Sequence, residues 1–185
     1  MNQKSKKGVA LVGLVLAALC ASSSFAAEVN WKNIVGVITA PDDLTTDAAE
    51  NINNPVGNVD SGTFPWSVRA GFARVNLTTG SVYFVVHGLV VNGQAFSGTP
   101  GPVQTVTGTL VCNAGSGQTE VELDTPDVSL DDQGDARFSG TINGIPAACA
   151  SPVFLIRIAT IANPQNPNVA RGRWIATGTE RSVRP

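Results

Sequence analysis

Short runs of β-branched and aromatic residues, separated by turn residues, constrain the fold of this chain more than any other feature. No stretch of the 185 residues sustains the 3.6-residue apolar period of an amphipathic helix. Apolar and polar residues alternate instead, as at 119–124, where Val121 and Leu123 stand between acidic residues. Alternation of period two is typical of a strand with one buried face. The pattern predicts an all-β fold, an antiparallel β-sandwich of about eight or nine strands.

Two of these runs indicate how the strands meet the core. Residues 66–72 alternate apolar and polar side chains, so Trp66 and Phe72 are predicted to share the buried face. Residues 81–91 are apolar on both sides, which predicts a central strand that is covered on both faces. Asn92-Gly93 follows with the turn chemistry of a hairpin.

Residues 1–26 have the order of a secretory signal peptide. A basic head that ends at Lys7 precedes an apolar run at 8–20, and Ser24 and Ala26 supply the two small residues that a signal peptidase reads. We predict cleavage near Ala26 and a protein that is secreted or periplasmic. A retained membrane anchor is the alternative, but the run is shorter than the roughly 20 apolar residues that span a bilayer.

Cys20 raises a second alternative, a lipid-modified N-terminus, which Leu19 disfavours because a lipoprotein signal has a small residue at that position. The remaining residues, 27–185, are predicted to form a single β-sandwich domain, and their number suffices for a sizeable core. No later run is long and apolar enough for a membrane helix. Residues 41–62 differ from the rest and predict a loop or a short-helix excursion.

The charge of the predicted mature chain excludes some classes of partner. Cleavage removes three lysines and no acidic residue, so nine basic and fourteen acidic residues remain, a net charge of −5. Lys32 is then the only lysine. Such a composition disfavours nucleic acid, which binds basic patches, and disfavours anionic lipid for the same reason.

The mature chain has two cysteines, Cys112 and Cys149. In an exported protein the simplest interpretation is a disulfide between them. Two free thiols are the alternative. A zinc site is disfavoured because two cysteines and a distant histidine lack the close ligand pairs of such sites.

His87 is the only histidine and lies in the most apolar of the predicted strands. No serine has the G-x-S-x-G spacing of a nucleophile elbow, and Gly115-Ser116-Gly117 directly follows a predicted strand end. The sequence therefore favours a core or strand-edge histidine with one satisfied hydrogen bond over a catalytic triad. No cofactor is predicted.

An acidic cluster without lysine or arginine occupies residues 120–135. A solvated strand face followed by a turn is the favoured interpretation. Carboxylates of this kind also bind Ca²⁺, although the spacing matches no EF-hand loop, and paired carboxylates hydrolyse glycosides. The members of the cluster are Glu120, Glu122, Asp124, Asp127, Asp131, Asp132 and Asp135, of which Asp127, Asp131, Asp132 and Asp135 are the calcium candidates.

The three tryptophans bear on ligand binding, because sugar-binding modules on sandwich folds use exposed aromatic rings. Trp66 and Trp174 fall on the apolar side of their runs, which predicts core packing. Trp31, near the mature N-terminus, is the one candidate for an exposed ligand-binding ring.

A set of five short motifs is spread over residues 65–178. They are SGTPGPV at 97–103, VTGTLVCN at 106–113, GDARFSG at 134–140, FLIRIA at 154–159 and GRWIA at 172–176. Together they resemble a group of uncharacterised secreted bacterial proteins with no known activity. The resemblance implies a secreted, disulfide-bonded protein and implies no site residue.

These observations predict a secreted, non-catalytic protein, a binding or structural module of the envelope or the extracellular space. A glycan or another protein is the expected kind of ligand, carried by surface loops. The alternative is a secreted hydrolase of the glycoside type that uses carboxylates of the 120–135 cluster.

Overall fold

The structure is a computed structural model that describes residues 27–38, 55–62, 64–93, 95–161 and 172–184. Within these ranges the chain forms eleven strands and no helix. The described residues therefore contain no helix that is long and apolar enough to cross a membrane. The predicted signal peptide at 1–26 lies outside them. The strands are β1 (Glu28–Gly36), β2 (Trp66–Ser67), β3 (Ala70–Asn76), β4 (Ser81–His87), β5 (Val90–Val91), β6 (Val103–Cys112), β7 (Val121–Asp124), β8 (Val128–Ser129), β9 (Ala136–Thr141), β10 (Val153–Ile161) and β11 (Trp174–Arg184).

Nine of the strands form one curled antiparallel sheet. Its order is β7-β6-β10-β11-β1-β3-β4-β9, with β8 paired to β6, while β2 and β5 form a separate two-stranded sheet. Strand β1 is central because it pairs with β11 on one side and with β3 on the other. The prediction of an all-β, antiparallel fold is confirmed.

The core lies on the inner face of this sheet, where strands that are not neighbours bring large side chains together. The Phe154 ring on β10 lies 5.5 Å from the Trp31 ring on β1 and 5.7 Å from the Phe84 ring on β4. These three side chains are almost fully buried, as are Trp66 and Trp174, in agreement with the core positions predicted for the last two.

Glycine makes room for these rings at one crowded position of the sheet. A Cβ atom on Gly108 of β6 would lie 2.7 Å from ring carbons of both Phe84 and Phe154. That separation is below any normal carbon–carbon contact, so the two rings pack directly onto the glycine backbone.

The disulfide between Cys112 and Cys149 is present, which confirms the prediction. It joins the end of β6 to the segment that precedes β10, with 4.8 Å between the two Cα atoms. Asn113 reinforces the junction: its Oδ1 accepts a hydrogen bond from the Ala150 N–H at 2.9 Å, and its Nδ2 donates to the Thr119 carbonyl at 2.9 Å.

Of the 41–62 excursion, the structure describes 55–62, which runs as a loop along the edge of β11. The Asp60 carbonyl accepts a hydrogen bond from Trp174 N–H at 2.9 Å, and Gly62 N–H donates to the Trp174 carbonyl at 2.7 Å. The short helix that the sequence offers as an alternative, ending near Glu50, lies outside the described residues.

Removal of the disulfide should destabilise the protein without changing its fold. The two cysteines are 37 residues apart, and closing a loop of that length corresponds to about 4 kcal/mol in the chain-entropy model. We expect the Cys112→Ser/Cys149→Ser variant to lose about this free energy of unfolding in a denaturant titration. Wild-type protein unfolded in reductant is the control, and equal stability of variant and oxidised wild type would contradict the prediction.

Gly108→Ala should test the close packing of Phe84 and Phe154. The added methyl group overpacks the core, which typically costs about 1–3 kcal/mol, and should lower the thermal midpoint. Replacing Phe84 by Leu removes ring atoms from the same place, so Phe84→Leu should be less damaging in the Gly108→Ala background than alone. Additive effects in this double-mutant cycle would show that the two positions are not in contact.

Candidate functional site

The outer face of strands β1, β3, β4 and β9 presents side chains in cross-strand rows. In one row Arg137, Val85 and Phe72 are direct partners. In the next row the partners are Ser139, Tyr83, Arg74 and Asn30. Lys32 extends the first row, since it follows Trp31, whose partner is Ala73 on β3. We call this surface the aromatic–cationic face, defined by Asn30, Lys32, Phe72, Arg74, Tyr83 and Arg137.

Two stacked rings occupy the centre of the aromatic–cationic face. The ring centroids of Phe72 and Tyr83 lie 5.4 Å apart, with an angle of 30° between the ring planes. The Arg74 guanidinium lies over the Tyr83 ring, 5.3 Å from its centroid, in a cation–π arrangement. Phe72 nevertheless keeps 41% of its surface exposed, so solvent or a ligand reaches the pair.

A shallow depression of about 280 Å³ adjoins the exposed ring. Phe72 lines it together with Asn30 and Lys32 of β1 and Ser182 of β11. The lining therefore combines one aromatic surface with an amide, an ammonium group and a hydroxyl-bearing residue.

The cations of this face have no acidic partner in the part of the chain that the structure describes. Neither Lys32, Arg74 nor Arg137 forms an ion pair there. By contrast, Arg157 on β10 binds Glu122 at 3.1 Å and Asp124 at 3.5 Å. Three cations without an ion-pair partner among the described residues thus lie on one surface.

The structure corrects the prediction that Trp31 carries an exposed ring. Its side chain keeps 2% of its surface exposed and packs against Phe154, because β1 lies in the middle of the sheet. Phe72 is the exposed ring instead, and the half-buried Tyr83 stacks on it. The prediction that Phe72 shares the buried face of Trp66 is wrong, because Trp66 lies on β2 of the small sheet and Phe72 lies on β3 of the large sheet.

The acidic cluster is divided among separate partners. Glu120 accepts a hydrogen bond from the Asn58 N–H at 2.8 Å, and Asp124 accepts one from the Thr109 hydroxyl at 2.6 Å. Glu122 and Asp124 share Arg157. The strand part of the cluster therefore contacts residues of β6, β10 and the 55–62 loop.

The calcium candidates lie in and beside the turn before β9. One Asp131 carboxylate oxygen accepts the N–H groups of Gln133 at 2.9 Å and Asp135 at 2.8 Å, which closes the turn. Across the described ranges, no group of three or more histidine, cysteine, aspartate or glutamate side chains is placed to hold a metal ion. The favoured interpretation, a solvated acidic face, stays a prediction, and calcium binding by Asp127, Asp131, Asp132 and Asp135 stays the untested alternative.

Asp135 instead binds the single histidine. Its Oδ2 lies 2.8 Å from His87 Nδ1, and its Oδ1 accepts the Gly88 N–H at 2.9 Å. Arg69 lies 3.9 Å from Oδ1. The His87 hydrogen bond, assisted by the Gly88 N–H, holds the pKa of Asp135 below its ordinary value of 3.8.

His87 thus lies at the end of β4, and its Nδ1 has Asp135 as a hydrogen-bond partner. This is the strand-edge histidine that the sequence favours over a catalytic triad. Its side chain is 46% exposed, because β4 ends there and the ring lies on the outer face beyond the core. The pair joins the end of β4 to the residue before β9.

Comparisons of the chain with protein-family models, with curated proteins and with solved structures find no match. The resemblance to secreted bacterial proteins over residues 65–178 stays a prediction.

The Asp135–His87 contact generates a prediction about acid stability. Because the folded-state pKa of Asp135 is lowered below 3.8, the stabilisation is complete above the unfolded-state value and is lost as the pH falls through the folded-state value. We expect Asp135→Asn to lower the thermal midpoint at neutral pH, and the gap to wild type to shrink below about pH 4.

Asp132→Asn provides the matched control, since it removes the same charge from an exposed carboxylate of the same turn. It should leave the midpoint near that of wild type. A gap between wild type and Asp135→Asn that stays constant from neutral pH to strongly acidic pH would contradict the prediction.

Proposed function

We propose that the protein is an exported, non-catalytic binding module whose recognition surface is the aromatic–cationic face, and that its ligand is a saccharide. The observation that carries the proposal is the stacked pair of Phe72 and Tyr83 on an open sheet surface. Export rests on the predicted signal peptide at 1–26, with the mature chain in the envelope or the extracellular space.

Ring stacking explains the choice of ligand class. The face of an aromatic ring carries partial negative charge, and the C–H groups on one side of a sugar ring carry partial positive charge, so the two surfaces attract. Hydroxyl groups at the rim of the sugar need polar partners, which Asn30 and Lys32 supply beside Phe72. The rings sit on strands, so little ordering is required when a ligand binds.

A hydrolase that uses carboxylates of the 120–135 cluster is the alternative from a different class. The positions of Glu122 and Asp124 argue for the binding module, because the Arg157 Nη1 atom lies within 3.5 Å of both carboxylates. A glycosidic bond attacked by this pair would have to occupy the place that the guanidinium holds.

We also propose that the curled sheet packs as a two-layer sandwich. The contact of Phe154 on β10 with Phe84 on β4 supports this arrangement, because three strands lie between β10 and β4 in the sheet and the side chains still meet. The outer face of β3 and β4 is then one broad surface of a single domain.

Alanine at Phe72 and at Tyr83 should weaken saccharide binding. Each ring contributes an aromatic contact of about 0.5–1.5 kcal/mol beyond its buried area, so the double variant should bind about tenfold more weakly. The measurement is retardation of the protein in native gels that contain soluble polysaccharides, namely hydroxyethylcellulose, xylan, dextran and polygalacturonate.

Phe96→Ala is the matched control, since Phe96 is also 41% exposed but lies in the turn at 95–98. It should leave the retardation unchanged, and the thermal midpoints should show that all variants fold. Retardation by no polysaccharide, or equal retardation of wild type and the Phe72→Ala/Tyr83→Ala variant, would contradict the proposal. Release of reducing sugar that Asp124→Asn abolishes would favour the hydrolase.

A further inference from the structure

We propose that the aromatic–cationic face selects an acidic saccharide, one that carries carboxylate or sulfate groups along its chain. This inference rests on the proposed function, because it names the ligand class of the same surface. Its basis is the placement of Lys32, Arg74 and Arg137 around the Phe72–Tyr83 pair.

Cationic side chains lie on both sides of the stacked Phe72–Tyr83 pair. Arg137 on β9, Val85 on β4 and Phe72 on β3 form one cross-strand row, and Lys32 on β1 continues it. Neighbouring strands are about 4.8 Å apart, so the two cations are separated by roughly 14 Å along the row. A saccharide that lies across the strands would stack on the central rings and place acidic groups at both ends.

The described residues give the two cations of this row no ion-pair partner. Glu28 is the nearby acid on β1, and it accepts a hydrogen bond from Asn30 Nδ2 at 3.2 Å. Asp135 lies past the other end of β4, where His87 and Arg69 already contact it. Within the described residues, Lys32 and Arg137 are therefore free to bind an anionic ligand.

Other anionic polymers fit the same surface less well. A single-stranded nucleic acid carries a phosphate at every base and needs a cationic groove that follows it, whereas this face has widely spaced cations on a predicted mature chain with a net charge of −5. An acidic peptide has no flat ring face to cover Phe72 and Tyr83. A saccharide with charged groups satisfies both the rings and the cations.

Two matched pairs of polymers test the inference on the mature protein by calorimetric titration. Polygalacturonate is compared with its methyl ester, and dextran sulfate with dextran, so that charge changes while the sugar backbone stays. We expect the acidic member of at least one pair to bind about tenfold more tightly than the neutral member. The difference should fall in about 1 M salt, where the Debye length is about 3 Å.

Charge variants locate the effect on the protein. Lys32→Gln/Arg137→Gln should reduce binding of the acidic polymer several-fold and reduce binding of its neutral partner by a smaller factor, so that the preference for the acidic polymer is lost. Arg69→Gln is the control, because it removes one exposed cation that already lies beside Asp135. An equal loss in the control would overturn the inference, since it would reflect total charge and not the row.

The outcomes separate this inference from the proposed function. If acidic and neutral polymers bind equally and the Phe72→Ala/Tyr83→Ala variant binds neither, the acidic preference is overturned. The protein is then still a saccharide-binding module. Binding of neither member of either pair overturns the acidic preference, and the gel experiment with the wider panel then decides the proposed function separately. Tighter binding of polyglutamate or oligothymidine than of either acidic saccharide overturns both.

Discussion

The contact of Phe154 with both Trp31 and Phe84 holds the structure together. In the order of the sheet these residues lie on β10, β1 and β4, and their rings meet because the sheet curls around them. Gly108 on β6 allows the closest approach, since a side chain there would collide with two of the rings. Burying such large rings supplies much of the apolar area that stabilises a domain of this size. The inner face is thereby filled, and the remaining aromatic side chains of β3 and β4 lie outside.

The sequence predicts the class of the fold well, because alternation and turn residues are local signals. The all-β antiparallel architecture, the disulfide and the core positions of Trp66 and Trp174 follow from such signals and are confirmed. The aromatic–cationic face does not follow, since it depends on which strands become neighbours. Trp31 illustrates this: its position near the mature N-terminus suggested an exposed ring, but pairing of β1 with strands on both sides places it in the core.

Phe72 shows a second limit of pattern analysis. An unbroken alternation from Trp66 would bury it, but Trp66 lies on β2 of the small sheet and Phe72 lies on β3 of the large sheet. The acidic cluster shows a third limit of pattern analysis, because residues 120–135 contain the carboxylates but not all of the residues that bind them. Arg157 lies 35 residues from Glu122 along the chain, and only the pairing of β6 with both β7 and β10 brings them together.

Net charge is a property of the whole chain, whereas a ligand contacts only one part of the protein surface. At about 0.1 M salt, charges interact over roughly 10 Å, so the local arrangement decides what binds. Among the described residues, Glu122 and Asp124 lie on β7 and Asp131 and Asp132 lie in the turn before β9, whereas Lys32, Arg74 and Arg137 lie on β1, β3 and β9. The acidic composition of the whole chain therefore does not exclude an anionic ligand at one face.

Register connects the Asp135–His87 pair to this face. Side chains alternate along a strand, so a slip of β9 by one residue would turn Arg137 toward the core and Phe138 toward solvent. Asp135 binds His87 and Gly88 at the start of β9, and the Ile142 N–H donates to the Gly80 carbonyl at its end, at 2.9 Å. Because both ends of β9 are bound to β4, Arg137 stays opposite Val85. Inside the sheet, Phe138 stacks on Phe84 with 6.0 Å between the ring centroids, and this contact favours the same register. The single histidine thus helps to fix the strand register that places Arg137 on the aromatic–cationic face.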